Sequence, residues 1–557
     1  MSDGQAEEAF IAALQNAYAH EGTAEVKSVL GRLMAKLKGV PVGDALKLAE
    51  EAVRRVNTLT VMEQEIELQR LAPQLLVREK KEKVSRLREL DGAGPGFTVR
   101  LAPYPSGAPH IGNTRMFILN DEYARKYSGK LLLVFDDTIG SEEKFPDVES
   151  YSLIEEGLKW LGVKWEGVYY KSDRLDIFYT WAERLIHAGI AYVCMCDAET
   201  LRKNREEGSE CVHRSHTVQQ NTGYWKMMVN GEYREGEAVL RAKTDMRHRN
   251  PAFRDRVLCR ISERVHPRTG TKYRVWPMLE FSWAVDDIEL RMTHVIRGKE
   301  LVMEDMMENF IWDRMGLKGP VFEHFGLLRL KGVKISKSKS RAEVASGAYT
   351  GWDDPRTWSL QSLAARGFRP EAIRNFILSL GMSLADIEVP IDSVYSENRR
   401  LLEPEANRYF FVDEPQLISI SGFDGNSVVE SYLHPDHPEK GRRLIEAGNS
   451  VYVSSADMRS FGGSEVRLKD FCNVVLRAGK SEFTGKENRD LQRIQWVPST
   501  GSVKCRVIMP DGSRVEGLAE ANVAAIPLNV PVQFERFGFV NPRGWEGDAM
   551  VFHFAHE

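Results

Sequence analysis

The sequence predicts a multidomain protein of mixed α/β and β architecture, and three observations carry that expectation. Its 557 residues suffice for three or four domains. Helical periodicity fills the first 76 residues, and after residue 96 the pattern runs strand, loop, helix, strand. From about residue 406 short strands and turns take over.

The N-terminal helices are read from apolar spacing: Phe10, Leu14 and Tyr18 recur every four residues, and Val26, Val29, Leu30 and Leu33 line one face. Ala45, Ala49, Ala52, Val53 and Val56 do the same. The charged run 78–90 ends in Asp91-Gly92-Ala93-Gly94-Pro95-Gly96, which marks a linker and places a domain boundary at residue 95. Phe97 to Ala102 reads as a strand, 103–109 as a proline loop, and a helix is expected from near His110 to Tyr127. The apolar run 130–135 ending in Asp136 and Asp137 reads as a buried parallel strand. Together these begin a doubly wound, Rossmann-like domain, in which ligands sit at the carboxyl ends of strands. Residues 237–290 look strand-like and rich in arginine, whereas 360–381 look helical, with Ile373, Phe376, Ile377 and Leu380 on one face. The last 150 residues are expected to form β-barrels, with strands near 416–420, 503–509, 532–540 and 550–554 and a tight turn at Asp511-Gly512.

Composition excludes several classes. Apolar residues at 42% and charged residues at 28% describe a folded chain, and a formal charge of −4 argues against a basic DNA-coating protein. No apolar stretch is long enough to span a membrane, and the acidic start lacks the layout of a secretion signal, so a cytoplasmic location is expected. Six cysteines cannot form a disulfide framework.

Three constellations could carry chemistry. In the first, Ser106-Gly107-Ala108-Pro109-His110-Ile111-Gly112-Asn113, a loop lets backbone approach a ligand and the following helix start suits phosphate. His110 and Asn113, three apart, can face one cleft. The second, Lys331 to Arg341, holds five basic residues and no acid, including Lys334, Ser336 and Lys337. Such a loop can wrap a polyphosphate, although most basic loops are merely solvated. The third is Cys194-x-Cys196 followed by Cys211-x-His213, three thiolates and an imidazole that make a complete tetrahedral zinc set. Cys259, Cys472 and Cys505 are scattered and read as packing. Gly479-Lys480-Ser481 resembles the end of a P-loop, but Val474 stands where the first glycine is needed.

The first two constellations together resemble the HIGH and KMSKS signatures of class I aminoacyl-tRNA synthetases. Ala102-Pro103-Tyr104-Pro105-Ser106-Gly107, Phe135-Asp136-Asp137-Thr138, Leu158 to Gly162, Thr293 to Glu300 and Lys334 to Ser338 further resemble the archaeal-type glutamyl-tRNA synthetase family, in that family's order. Asn113 replaces the last histidine of the HIGH pattern, and Tyr104 takes a position usually smaller or more polar. The resemblance implies an N-terminal helical domain (1–95) and a class I catalytic domain in two halves (96–190 and 291–345). It also implies an acceptor-stem insert with the zinc site (191–290), a helical stem-contact region (346–405) and anticodon-binding β-barrels (406–557).

The activity implied is ATP-dependent attachment of L-glutamate to tRNA(Glu), alone or together with tRNA(Gln), by a monomer. His110, Asn113, Lys334 and Lys337 would be catalytic; Ser106, Gly107, Gly112 and Ser336 would join them in binding ATP with its Mg²⁺. Arg100, Asp136 and Arg297 would bind glutamate, with Asp136 on the α-amino group, Arg100 on the γ-carboxylate and Arg297 the second candidate for that carboxylate. Structural Zn²⁺ would sit on Cys194, Cys196, Cys211 and His213. Two alternatives stand beside this one: a glutaminyl-tRNA synthetase, and a non-catalytic RNA-binding protein with a zinc module.

Overall fold

The computed structural model describes residues 3–19, 22–36, 41–72, 87–139, 145–333, 335–423 and 425–557. Contacts divide the chain into two compact units, Met1–Val84 and Ser85–Glu557.

The first unit contains the helices Asp3–Ala19, Val26–Lys36, Val42–Val56 and Val61–Leu71. The expected apolar faces form its core: Phe10, Leu14, Val29, Leu33, Ala49, Val53 and Val56 are buried. The last of these helices begins at a capping box, in which Thr60 accepts from the Glu63 N–H and Glu63 accepts from the Thr60 N–H.

The second unit starts from a parallel sheet. Thr98–Leu101 pairs with Lys130–Phe135, which pairs with Gly167–Tyr170. A second parallel pair, His294–Gly298 with Val321–Phe325, is tied to the first by a Thr293 N–H to Thr98 O bond of 3.0 Å. Val99, Leu101, Leu133 and Phe135 are fully buried, as a sheet covered on both faces requires. The end of the charged run and the residues after it belong to this unit: the Leu90 N–H donates to Tyr127 Oη at 2.8 Å, and His294 Nε2 meets Asp91 O at 2.9 Å.

Inserted after the third strand is an antiparallel sheet of Ala191–Cys194, Val239–Ala242, Val257–Ile261 and Val275–Pro277. The expectation of strand up to residue 290 fails at its end, where Leu279–Glu289 is a helix. All eight residues from Glu280 to Asp287 are buried, so no polar face marks the helical period. The helical stretch expected over 360–381 is two helices, Leu360–Ala365 and Pro370–Leu380, broken at Gly367 with φ +88°.

Beyond residue 406 lie two seven-stranded, barrel-like sheets. One is packed on Ile418, Val451, Val466, Val474 and Trp496, the other on Val507, Phe534, Val540 and Phe552. Asp511-Gly512 makes the expected hairpin turn between Val503–Ile508 and Arg514–Ala519, with Gly512 at φ +86°. Gly479–Gly485 is a strand, not a phosphate loop. Cys259, Cys472 and Cys505 are buried in the cores.

Arg366, fully buried, fastens the terminal strand: its guanidinium donates to Phe554 O at 2.9 Å and Ala555 O at 2.6 Å. Arg366→Ala leaves both carbonyls unpaired beside a cavity. It is expected to cost about 3 kcal/mol, read as a lower urea midpoint, and an unchanged midpoint would contradict that role.

Candidate active site

The loop after the first parallel strand is shaped by its own backbone. Ser106 N–H donates to Tyr104 O at 3.0 Å, and Gly107 adopts φ +132°. A Cβ at Gly107 would lie 2.7 Å from Trp352 Cη2 and 3.3 Å from Lys337 Cε, so only glycine fits the conformation and the space. The expected helix starts as a 3-10 turn, Ile111–Asn113, that continues into Thr114–Lys126. His110 and Asn113 close that turn reciprocally: Gly112 N–H donates to His110 Nδ1 at 3.0 Å, and His110 N–H donates to Asn113 Oδ1 at 3.1 Å.

Two consequences follow for chemistry. Burial and the nearby Lys337 charge push the His110 imidazole down to about 4, so it is neutral near pH 7. With Nδ1 accepting, the proton of the neutral ring sits on Nε2 as a donor, and the Asn113 amide N–H₂ is likewise left as a donor.

The basic segment arrives from the opposite wall. Lys337 opens the helix Lys337–Ala345, capped by Ser336, and its Nζ donates to Tyr104 O at 3.3 Å. Lys334 lies outside the described residues. Between the two segments is a cavity of about 670 Å³, lined among others by Tyr104, Ser106, Asn113, Lys337, Ser338 and Arg341. Segments more than 200 residues apart in sequence thus share one basic cavity next to a helix start, an arrangement suited to polyphosphate.

Arg100, Asp136 and Arg297 come together elsewhere, in a buried charge cluster around Trp283. The guanidinium carbons of Arg100 and Arg297 lie 5.0 and 4.8 Å from its ring, and Lys171 Nζ lies 5.1 Å away. Arg100 binds both carboxylate oxygens of Asp287, through Nε and, at 2.9 Å, through Nη2. Arg297 pairs with Asp305 and, at 2.8 Å, with Glu308. Asp136 faces Lys171 at 2.9 Å. Burial, against the pull of Arg297, raises the Glu308 carboxyl to about 8.

The sequence matches the description "tRNA synthetases class I (E and Q), catalytic domain" over residues 97–404. The two anticodon-binding domains of that family match 406–492 and 493–543. The chain belongs to this family, the glutamyl and glutaminyl class I tRNA synthetases. It is 40% identical to a glutamate–tRNA ligase of Methanothermobacter marburgensis, 43% to one of Thermococcus onnurineus and 41% to one of Pyrococcus furiosus. In each case 98% of both chains is covered. As a class I synthetase the protein uses ATP, and its two C-terminal sheets are the synthetase's anticodon-binding domains.

The synthetase's insert also carries the cysteine cluster. The ligand atoms of Cys194, Cys196, Cys211 and His213 all lie within 4.8 Å of one another. Cys194 Sγ is 3.7 Å from Cys211 Sγ, and His213 Nδ1 is 3.7 and 3.4 Å from the sulfurs of Cys194 and Cys196. A tetrahedral zinc requires about 3.7 Å between sulfurs and about 3.5 Å from sulfur to nitrogen, so the donor set fits the ion.

Of the expected residues, Ser106, Asn113 and Lys337 line the cavity, Gly107, His110, Gly112 and Ser336 belong to the loop, turn and helix cap that carry them, and Arg100, Asp136 and Arg297 gather around Trp283. Lys171, Trp283, Asp287, Glu308 and Arg341 were not singled out from the sequence. The acid pair Asp286-Asp287 in an otherwise apolar stretch was the one available signal.

The Glu308 carboxyl gives a pH signature. Its pKa is raised in the folded state, so its contribution to stability is present below about 4.5 and is lost as pH rises through about 8. Stability measured by urea unfolding should fall over that window in the wild type and fall less in Glu308→Gln; identical slopes would contradict the assignment.

Proposed function

We propose that this protein attaches L-glutamate to tRNA(Glu) through glutamyl-adenylate, in the cytoplasm. The observation that carries the reading is a shared cavity walled by Asn113 of the His110–Asn113 turn on one side and Lys337 with Arg341 on the other. The shared name of the full-length relatives supports the choice of glutamate. All six cysteines are free thiols, in keeping with a reducing compartment, and among the described residues no helix is long and apolar enough to cross a membrane.

In the first step an α-carboxylate oxygen of glutamate attacks the α-phosphorus of ATP, and the bond to the β-phosphate oxygen breaks, releasing pyrophosphate with the Mg²⁺ that entered with ATP. In the second, the terminal ribose hydroxyl of the tRNA attacks the glutamyl carbonyl and AMP leaves. No protein nucleophile takes part, so catalysis is positioning and charge stabilisation. Neutral His110 donates from Nε2 and Asn113 from its amide to phosphate oxygens. The Asn113 substitution in the HIGH pattern keeps a donor where one is needed. Lys337, with Lys334 of the same basic sequence segment, holds the departing pyrophosphate, and Ser106, Gly107, Gly112 and Ser336 frame the nucleotide.

Asp136 accepts the α-ammonium of glutamate. Of the two arginines, Arg297 is the better donor to the γ-carboxylate, because its Nη1 is buried without a hydrogen-bond partner whereas Asp287 engages Arg100 bidentately. Arg100 instead orients the wall of the pocket. Glutamine would turn its N–H₂ toward guanidinium donors, a mismatch worth about 10³-fold in rejection. Zn²⁺ on Cys194, Cys196, Cys211 and His213 would supply a structural crosslink, since four protein ligands leave no position for water.

Charging purified tRNA(Glu) and tRNA(Gln) with labelled glutamate and glutamine tests the reading. Glutamate should be attached to tRNA(Glu), and glutamine rejected by about 10³-fold; comparable charging with glutamine would favour a glutaminyl enzyme. Lys337→Ala should slow adenylate formation by about 10²-fold or more while leaving tRNA binding nearly unchanged, and near-normal activity would remove Lys337 from the phosphate site. Elemental analysis of unchelated protein should find about one zinc per chain, lost in Cys211→Ser; metal-free protein of the same stability would contradict the zinc assignment.

A further inference from the structure

Lys171 follows the third parallel strand and is fully buried. Its ammonium donates to Ser282 Oγ at 2.7 Å and pairs with Asp136 Oδ1 at 2.9 Å. Burial lowers its pKa against the pull of Asp136 and Asp286, so the charge depends on a carboxylate partner. The same cluster contains buried polar atoms without a hydrogen-bond partner: Trp283 Nε1, Asp286 Oδ2, Arg297 Nη1 and Glu308 Oε2. Folded proteins leave few such atoms, so this mixed set of donors and acceptors points to a ligand that carries both an ammonium and a carboxylate.

Resting on the proposed glutamate ligation and on Asp136 as the ammonium acceptor, we propose that Lys171 is a specificity-determining residue of the amino-acid site. Its tethered ammonium occupies Asp136 before substrate arrives and yields that place to the substrate's own ammonium. No bond is made or broken, and the exchange swaps one buried ion pair for another. Asp286, whose Oδ2 has no hydrogen-bond partner, is the carboxylate toward which the displaced Lys171 ammonium turns. Without Lys171, an empty site would hold Asp136 as an uncompensated buried charge, which is strongly unfavourable. With it, a ligand must offer an ammonium good enough to replace the one already present, or must bind without disturbing the pair.

That second route gives the test. Glutarate has the two carboxylates of glutamate and no amino group. In an ordinary ammonium site its binding would leave Asp136 unpaired; here Lys171 stays in place. Glutarate should therefore inhibit glutamate-dependent ATP–pyrophosphate exchange of the wild type, measured with tRNA present, with a Ki within about 30-fold of the KM for glutamate. In Lys171→Met the ratio of that Ki to that KM should rise by about 10²-fold, through tighter glutamate and weaker glutarate, with the KM for ATP unmoved. A wild-type ratio above about 30-fold, or a ratio unchanged in the variant, would overturn the proposal. If Lys171→Met fails to fold, the wild-type ratio decides alone. Absence of any glutamate-dependent exchange would contradict the glutamate ligase itself, and the two failures are thereby distinct.

Discussion

Charges buried beneath the parallel sheet must be paired, and much of the second unit is arranged around that requirement. Asp136 follows the strand Lys130–Phe135, Asp286 and Asp287 share one helix, Asp305 and Glu308 share another, and all five are almost inaccessible. Each would be costly alone in such surroundings. Arg100 on the first strand reaches Asp287 on the helix Leu279–Glu289, and Arg174 reaches Asp286 on the same helix at 2.7 Å. Arg297, on a strand of the second parallel pair, reaches Asp305 and Glu308 on the helix Val302–Met315. These pairs fix the two helices against the strands of the parallel sheet. Trp283 fills the centre and presents its ring to three cations at once.

The cavity is built differently, from short-range geometry. A glycine with no room for a Cβ, a turn closed by its own histidine and asparagine, and a lysine on the first turn of another helix meet around one cavity. The two sides share the strand Thr98–Leu101: Arg100 is on it, and the proline loop follows it directly. The Asp136 N–H donates to Pro103 O at 3.1 Å, so the floor of the cavity and the charge cluster are joined through one backbone bond. In the proposed reaction, positioning of an α-carboxylate against an α-phosphorus needs this rigid connection between the charge cluster and the cavity.

Much of this was legible in the sequence, for identifiable reasons. The N-terminal helices have one solvated face, so their period survives in the pattern. The proline–glycine loop and the cysteine–histidine set are coded locally and were readable from residue type and spacing. The helix Leu279–Glu289 was misread because burial on all sides erased its period, and the break at Gly367 was invisible within a continuous apolar pattern. Lys171 escaped notice because a buried lysine is distinguished from a solvated one only by the carboxylate that folding brings to it. The pairing of Arg100 with Asp287, 187 residues apart, is equally a product of tertiary structure. It moves the γ-carboxylate role, assigned first to Arg100 from sequence, toward Arg297.

The central claim is that the basic cavity and the charge cluster act together as one adenylate-forming site. ATP–pyrophosphate exchange by the wild-type protein in the presence of tRNA measures that directly. The account predicts incorporation of labelled pyrophosphate into ATP that requires glutamate. Retention of tRNA binding with no glutamate-dependent exchange would contradict it and leave an RNA-binding protein in its place.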